Sequence, residues 1–196
     1  MKFFVNFLSA FRIVAAFAIV PSIMLHWYWI AFALFALGAL SDLFDGMLAR
    51  RYNECTKLGG VMDHIGDKLL VANTLIMLAS MMSLWFIVVP VIILIARELY
   101  ISGLREFIGT QKMEMPVPKA RFSMGKIKTA LQMLTIASFL FLFALATVIN
   151  IETISRPSLL AMNILSQAGI VGLWLSVAAS LISAAQYTVT FLKKIK

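Results

Sequence analysis

Four aspartates between residues 41 and 70 are the residues of this chain whose type and spacing best suit chemistry. Asp42 and Asp45 are three residues apart, and Asp63 and Asp67 are four apart. In a helix, either spacing places a pair on one face, with about 5 to 6 Å between the Cβ atoms. Carboxylate oxygens suit Mg²⁺ or Mn²⁺, which keep open positions for phosphate oxygens. The pattern therefore predicts a site for one or two divalent ions, with Asp42, Asp45 and Asp63 as the first ligands and Asp67 as a fourth.

Small and basic residues accompany the aspartates at helical spacing. Gly46 and Ala49 lack bulk, so a flat base and its ribose can approach the backbone there. Arg50 supplies a planar fork for phosphate oxygens. Gly59, one turn before the third aspartate, leaves room at the start of the next helix. Thr56 either donates its hydroxyl to a phosphate or forms the turn between the two helices.

The composition places this site in a membrane protein. With 62% hydrophobic residues and a mean hydropathy of +0.95, the chain is too apolar for a water-soluble domain. The net charge is +8, but the basic residues lie between the apolar runs and not on a module that could reach nucleic-acid phosphates. We therefore predict no nucleic-acid partner. The single cysteine, Cys55, excludes an internal disulfide and a zinc site built from cysteines.

Six apolar runs are long enough to cross about 30 Å of hydrocarbon. They are residues 4–24, 27–50, 58–83, 84–108, 125–149 and 159–191, and Pro21 with Ser22 is the turn signal after the first run. The expected fold is an all-α integral membrane bundle of six transmembrane helices, forming a single domain over residues 1–196. The aspartates then lie at the end of the second helix and the start of the third.

The charged residues orient this bundle. In the six-helix arrangement, both termini, every basic residue except Arg156 and every acidic residue except Glu152 lie on one side. By the positive-inside rule that side is cytoplasmic. A cation transporter would need polar groups through the whole membrane thickness, so this distribution argues against one.

The aspartate stretch resembles the signature of the CDP-alcohol phosphotransferase family. Its pattern, D-x2-D-G-x2-A-R-x8-G-x3-D-x3-D from Asp42 to Asp67, matches at every defined position. The resemblance implies a metal-dependent enzyme in which Asp67 is the general base for the acceptor alcohol. Asn6 and Ser9, followed by Arg12, also look like the opening of that family and are expected to face the same site and bind the CDP-linked lipid. The alternative for Arg12 is snorkelling to the cytoplasmic edge.

A second resemblance concerns the acceptor. Residues 95–107 and 125–129 resemble the phosphatidylglycerophosphate synthase branch of that family. Arg97 and Arg105 are eight residues apart, on nearly one helix face. The expected anion pocket for the phosphate of glycerol 3-phosphate consists of the residues Arg97, Ser102, Arg105, Lys126 and Lys128. A structural ion-pair network with Glu98 and Glu106 is the alternative.

The resemblance implies transfer of a phosphatidyl group from CDP-diacylglycerol to glycerol 3-phosphate, with release of CMP. It also implies a homodimer among membrane lipids, in a bacterial inner membrane with the active site at the cytoplasmic face. Inositol phosphate or phosphatidylglycerol as acceptor is the nearest alternative, and a membrane prenyltransferase is a more distant one. We interpret His64 as a helix-start residue and not as a ligand, and the last helix as scaffold.

Overall fold

The fold is helical, as a computed structural model shows. The structure describes residues 2–52, 57–110, 124–149 and 156–195, with side chains except at residues 2–8, 42–52, 57–60, 63, 108–110, 124–126 and 193–195. The helices of the described ranges are α1 (Lys2–Met24), α2 (Tyr28–Tyr52), α3 (Lys57–Met82), α4 (Trp85–Thr110), α5 (Met124–Val148) and α6 (Arg156–Ile195). The predicted all-α fold is confirmed, and each predicted apolar run corresponds to one helix.

Four of these helices contain segments long and apolar enough to cross a membrane. Within the described residues, the segments are His64–Met82, Trp85–Phe107, Ile127–Val148 and Arg156–Leu192. Within the same residues, α1 and α2 contribute the shorter apolar segments Ser9–Met24 and Tyr28–Ser41. Six helices are thus present, and six membrane crossings remain a prediction.

The end of α1 corrects the predicted position of the first turn. Pro21 lies inside α1, which continues to Met24. His26 then adopts a left-handed φ of 60°. Its amide donates to the Ile23 carbonyl at 3.0 Å, and the Trp27 amide donates to the Ser22 carbonyl at 2.8 Å. These two bonds form a Schellman motif, so the left-handed residue ends the helix and the proline does not.

The helices form two compact units. Unit 1 is Met1–Met81 with Ile136–Gln167, and unit 2 is Met82–Thr135 with Ala168–Lys196. Both α5 and α6 therefore contribute to each unit. At 40 residues, α6 is about 60 Å long, roughly twice the thickness of the hydrocarbon core.

Unit 1 packs α1, α2 and α3 around small and branched side chains. Its fully buried residues include Ala16, Ile19, Ala31, Phe35, Leu70 and Leu140. Aromatic contacts join α2 to the second half of α5, with ring centroids 5.5 Å apart for Tyr28 and Phe143 and 6.1 Å apart for Trp29 and Phe141. These contacts hold the apolar first half of α2 against α5. The polar second half of α2 continues from that packed segment.

In unit 2, α4 and the second half of α6 pack side by side and run in the same direction. The Trp174 indole donates to the Phe86 carbonyl at 3.1 Å near the start of α4, and the rings of Phe107 and Phe191 lie 5.8 Å apart near its end. Between these contacts the buried core includes Ile87, Val91, Leu94, Leu173 and Val177. The buried polar residues Arg97, Ser180 and Ser183 lie along the same α4–α6 contact.

Candidate functional site

The helices that carry the aspartates approach closely one turn from the predicted site. A Cβ added to Gly38 of α2 would lie 2.5 Å from Cδ2 of Leu70 of α3, and Leu70 is fully buried. No side chain larger than hydrogen fits at this position without movement of Leu70. The contact therefore fixes which face of α2 meets which face of α3.

Helical spacing connects this contact to the acidic residues. Asp42 and Asp45 follow Gly38 by four and seven positions, and Asp67 and Asp63 precede Leu70 by three and seven. Residues at these separations share a helix face. The faces that meet at Gly38 and Leu70 are thus the ones on which the sequence register places the aspartates.

A buried arginine joins α1 to α2 at the same level. The Arg12 side chain is fully buried, and its Nε and Nη2 atoms donate to Oγ of Ser41 at 3.3 and 3.2 Å. Ser41 in turn donates to the Gly38 carbonyl at 2.8 Å and directly precedes Asp42. The burial of this guanidinium inside unit 1 argues against the snorkelling alternative for Arg12.

The α1 helix also meets α3 beside Asp67. A Cβ added to Gly66 would lie 3.2 Å from Cγ1 of Ile13, 3.4 Å from Cβ of Arg12 and 3.5 Å from the Ser9 carbonyl oxygen. Ser9 is buried, and the Oδ1 atom of Asp67 is shielded from solvent. The absence of a side chain at Gly66 therefore lets α1 lie against α3 next to the predicted base.

Deeper in unit 1, α1 and α3 are joined by one polar contact. The amide of Asn73 donates to the Ala16 carbonyl at 2.7 Å. Thr74 returns its hydroxyl to the Leu70 carbonyl of its own helix at 2.7 Å, so it offers no polar group to the site. The Asn73 contact thus holds α1 against α3 one turn beyond Arg12.

The donor chemistry fits a divalent cation. The two helices that meet at Gly38 and Leu70 carry four aspartates by sequence, and carboxylate oxygens are the ligands that Mg²⁺ or Mn²⁺ prefers. Among the described side chains there is no group of three or more histidine, cysteine, aspartate or glutamate residues that could hold a metal. Asp67 is the predicted ligand whose side chain is described, and the other three lie outside that set.

The position of His64 corrects our interpretation of it. Because α3 begins at Lys57, His64 lies about two turns inside the helix, and it is exposed. It therefore has no helix-start role.

Ten predicted site residues lie outside the described side chains. They are Asn6, Asp42, Asp45, Gly46, Ala49, Arg50, Thr56, Gly59, Asp63 and Lys126. Except for Thr56, the helices that contain them are described. Their roles remain predictions.

Unit 2 contains the predicted acceptor residues, and Arg97 is the most buried arginine among them. Its side chain is held by α6, since Nε donates to the Ser180 carbonyl at 3.1 Å and Nη2 donates to Oγ of Ser183 at 3.0 Å. Its Nη1 atom donates to Oε1 of Glu98 at 3.1 Å. The guanidinium thus has a fixed plane and a counter-ion.

Glu98 joins Arg97 to α5. The same Oε1 atom accepts from Nζ of Lys128, which is also buried. Ser102 donates its hydroxyl to the Glu98 carbonyl of its own helix at 2.7 Å. Two cations and one anion therefore form a cluster with a net charge of about +1. For Glu98, the structure therefore agrees with the alternative of a structural ion-pair network.

Arg105 has a different environment. Its guanidinium carbon lies 5.5 Å from the ring centroid of Tyr187 in α6, a cation–π geometry. Its Nε atom is buried and makes no hydrogen bond to any residue of the described part of the chain. The face of Tyr187 thus orients the Arg105 guanidinium.

The residues of α6 that hold these arginines were not predicted from the sequence. The helix was interpreted as scaffold because it carries no motif. The available signal was the spacing of Ser180, Ser183 and Tyr187, three and then four residues apart in an apolar helix. Similarly, the spacing of Ser41 from Arg12 gave no indication that the two residues are bonded.

Comparison with known proteins identifies the family of this chain. Residues 3–182 match the model of the CDP-alcohol phosphatidyltransferase family. The CDP-diacylglycerol–glycerol-3-phosphate 3-phosphatidyltransferase of Sodalis glossinidius (strain morsitans) is 35% identical over 139 residues, which cover 69% of this chain and 75% of that protein. The enzymes of the same name from Escherichia coli (strain K12) and Shigella flexneri serotype 5b (strain 8401) are each 35% identical over 141 residues, covering 68% of this chain and 74% of theirs. Because the matched residues make up most of the chain, this protein belongs to the CDP-alcohol phosphatidyltransferase family.

Proposed function

We propose that this protein transfers the phosphatidyl group of CDP-diacylglycerol to glycerol 3-phosphate, giving phosphatidylglycerophosphate and CMP. The observation that supports the proposal is the close contact at Gly38 and Leu70 between α2 and α3, the two helices whose sequences carry the aspartates. The names of the 35% identical relatives supply the acceptor. The protein is an integral membrane enzyme of phospholipid biosynthesis.

The reaction joins the primary hydroxyl oxygen of glycerol 3-phosphate to the phosphorus nearest the diacylglycerol. The bond from that phosphorus to the CMP oxygen breaks, and CMP leaves with the bonding electrons. Asp67 accepts the hydroxyl proton, a role supported by the shielded position of its Oδ1 atom in α3. The reaction exchanges a phosphoanhydride bond for a phosphoester bond, and its rate depends mainly on positioning and on charge stabilisation.

Asp42, Asp45, Asp63 and Asp67 would hold one or two Mg²⁺ or Mn²⁺ ions. When bound, such an ion supplies positive charge that offsets the charge on the pyrophosphate and the departing CMP. The chain's own contribution is to bring the four carboxylates together. The bonds from Arg12 to Ser41 and the close contact of α1 with Gly66 support that arrangement.

CDP-diacylglycerol is assigned to the polar and small residues of unit 1. Gly46, Ala49 and Gly59 would leave space for the cytidine, and Arg50 would bind its phosphates. The remaining residues assigned to this substrate are Asn6, Ser9 and Thr56. Burial of Ser9 against α3 supports its place at the α1 side of the site.

Glycerol 3-phosphate is assigned to unit 2. Of the predicted residues Arg97, Ser102, Arg105, Lys126 and Lys128, Arg105 has the strongest support because its guanidinium makes no ion pair with an acid among the described residues. Arg97 and Lys128 share Glu98, so these three residues bring two positive charges and one negative charge to the assigned pocket. A phosphorylated acceptor is therefore favoured over a neutral alcohol.

The arrangement in the membrane follows from the charge distribution. We place six crossings, both termini and the active site so that the basic residues face the cytoplasm, in a bacterial inner membrane. The chain acts as a single domain over residues 1–196, contacts membrane lipid and forms a homodimer.

The test uses purified protein in detergent with Mg²⁺ or Mn²⁺ and CDP-diacylglycerol. Labelled glycerol 3-phosphate, inositol phosphate, phosphatidylglycerol or no acceptor is added, and both CMP and lipid product are followed. We expect CMP release that requires glycerol 3-phosphate, with label in the lipid. Release that depends on another alcohol would replace the acceptor, and transfer from a labelled prenyl diphosphate would replace the reaction.

A further inference from the structure

One face of α6 contacts both arginines of the predicted acceptor site. Ser180, Ser183 and Tyr187 are separated by three and four residues and so share a helix face. The first two bind Arg97 through the Ser180 carbonyl and the Ser183 hydroxyl, at 3.1 and 3.0 Å. The ring of Tyr187 lies under Arg105, with 5.5 Å from its centroid to the guanidinium carbon.

The two arginines need different kinds of support. Arg97 is nine-tenths buried, so its guanidinium must find acceptors inside the protein, and α6 supplies two of them. Arg105 is half-buried and is supported through its face. Stacking on an aromatic ring fixes the plane of a guanidinium and leaves its N–H groups available at the edge.

The contacts of Arg105 indicate that the Tyr187 ring orients a cation in addition to filling space. The buried Nε of Arg105 has no hydrogen-bond partner among the described residues. A leucine at position 187 would fill similar space but would present no π face to the cation. The tyrosine therefore supports the guanidinium of an arginine whose Nε has no hydrogen-bond partner among the described residues.

We propose that Ser183 and Tyr187 of α6 are positioning residues for the acceptor, which orient Arg97 and Arg105 toward the phosphate of glycerol 3-phosphate. The inference rests on the proposed function. It gives the last helix a role in acceptor affinity, whereas the aspartate helices of unit 1 serve the CDP-linked lipid and the chemistry.

The test compares Tyr187→Leu, Tyr187→Phe and Ser183→Ala with the wild type. The KM for glycerol 3-phosphate, the KM for CDP-diacylglycerol and kcat are measured separately, and thermal unfolding in detergent monitors the fold. For Tyr187→Leu and Ser183→Ala we expect a rise of about three- to tenfold in the glycerol 3-phosphate KM, with the CDP-diacylglycerol KM unchanged. Tyr187→Phe keeps the ring and is expected to behave as wild type.

Thr188→Val is the matched control. The Thr188 hydroxyl lies 3.0 Å from the hydroxyl of Tyr100, so this change removes a contact between α4 and α6 without touching an arginine. Its three kinetic constants should equal those of the wild type.

Several outcomes would overturn the inference. They are an unchanged glycerol 3-phosphate KM in both Tyr187→Leu and Ser183→Ala, an equal loss for both substrates, or a Tyr187→Phe variant as weak as Tyr187→Leu. If Tyr187→Leu fails to fold, Ser183→Ala alone decides. A wild-type enzyme that ignores glycerol 3-phosphate would refute the proposed function and this inference together, whereas an active wild type with unaffected variants would refute the inference alone.

Discussion

The buried guanidinium of Arg12 binds the hydroxyl of Ser41 through both Nε and Nη2, at 3.3 and 3.2 Å. These residues are 29 positions apart, and Ser41 is followed directly by Asp42. The bond therefore ties α1 to α2 at the point where the apolar half of α2 gives way to its acidic half.

Loss of the Ser41 hydroxyl should weaken this tie. Ser41→Ala removes an acceptor from a buried cation, and we expect about 1.5 to 3 kcal/mol of lost stability together with lower kcat. Thermal unfolding in detergent and CMP release measure the two effects. Thr190→Ala is the control, because the exposed Thr190 hydroxyl donates to the Gln186 carbonyl of its own helix. A Ser41→Ala protein as stable and active as that control would show that Arg12 does not depend on Ser41.

Replacing the proposed base should affect turnover. Asp67→Asn keeps the size of the side chain and removes its ability to accept a proton. We expect a fall in kcat of about 100-fold or more. Binding of CDP-diacylglycerol, followed by its effect on thermal unfolding, should persist because the nucleotide residues remain. Substantial turnover by Asp67→Asn would remove this residue from the role of base.

Metal removal should abolish the reaction reversibly. Chelation leaves four carboxylates with no cation to offset the pyrophosphate charge, so we expect CMP release to stop and to return when Mg²⁺ or Mn²⁺ is added in excess. Thermal unfolding gives a second readout, since a bound cation stabilises the folded state by mass action. Full activity in excess chelator, with no effect of metal on unfolding, would contradict the assigned ligand set.

The contact of α2 with α3 can be tested by a single methyl group. Gly38→Ala places a Cβ 2.5 Å from Cδ2 of the buried Leu70, and overpacking of this kind costs about 1 to 3 kcal/mol. Gly103→Ala is the matched control, because a Cβ there meets nothing within 4 Å and α4 gains an alanine.

We expect Gly38→Ala to unfold at a lower temperature than Gly103→Ala. Adding Leu70→Ala to Gly38→Ala should cost less than Leu70→Ala costs alone, as measured in a double-mutant cycle. Equal stability of the two alanine variants, or strict additivity in the cycle, would mean that the helices do not meet tightly at Gly38.

The sequence predicted the helices because apolar runs of membrane length leave few alternatives, and the turn chemistry was less predictable. Pro21 was interpreted as a turn signal, but α1 continues through it to Met24, since an apolar helix tolerates a proline where other groups satisfy the freed carbonyl. The helix instead ends at His26, which adopts a left-handed conformation. A glycine at this position would have predicted such a conformation from the sequence, whereas a histidine does not.

The candidate site was predictable where its residues are close in sequence. The aspartates of each pair are close in sequence, as are Arg97 and Arg105. Helical periodicity therefore predicts which of them share a helix face. The contacts of Arg12 with Ser41 and of Arg105 with Tyr187 join distant segments, 29 and 82 residues apart. No periodicity connects such segments, so only the packed structure pairs them.

The burial of Arg97 and Lys128 has a consequence for the conditions under which this protein works. Dissolved ions screen exposed charges over about 8 Å at physiological ionic strength, but they act weakly on charges taken out of water. About nine-tenths of each of these side chains is shielded from solvent. The attraction between this cluster and a phosphate should therefore persist when the salt concentration of the cell changes. The attraction of a basic surface patch would weaken under the same change.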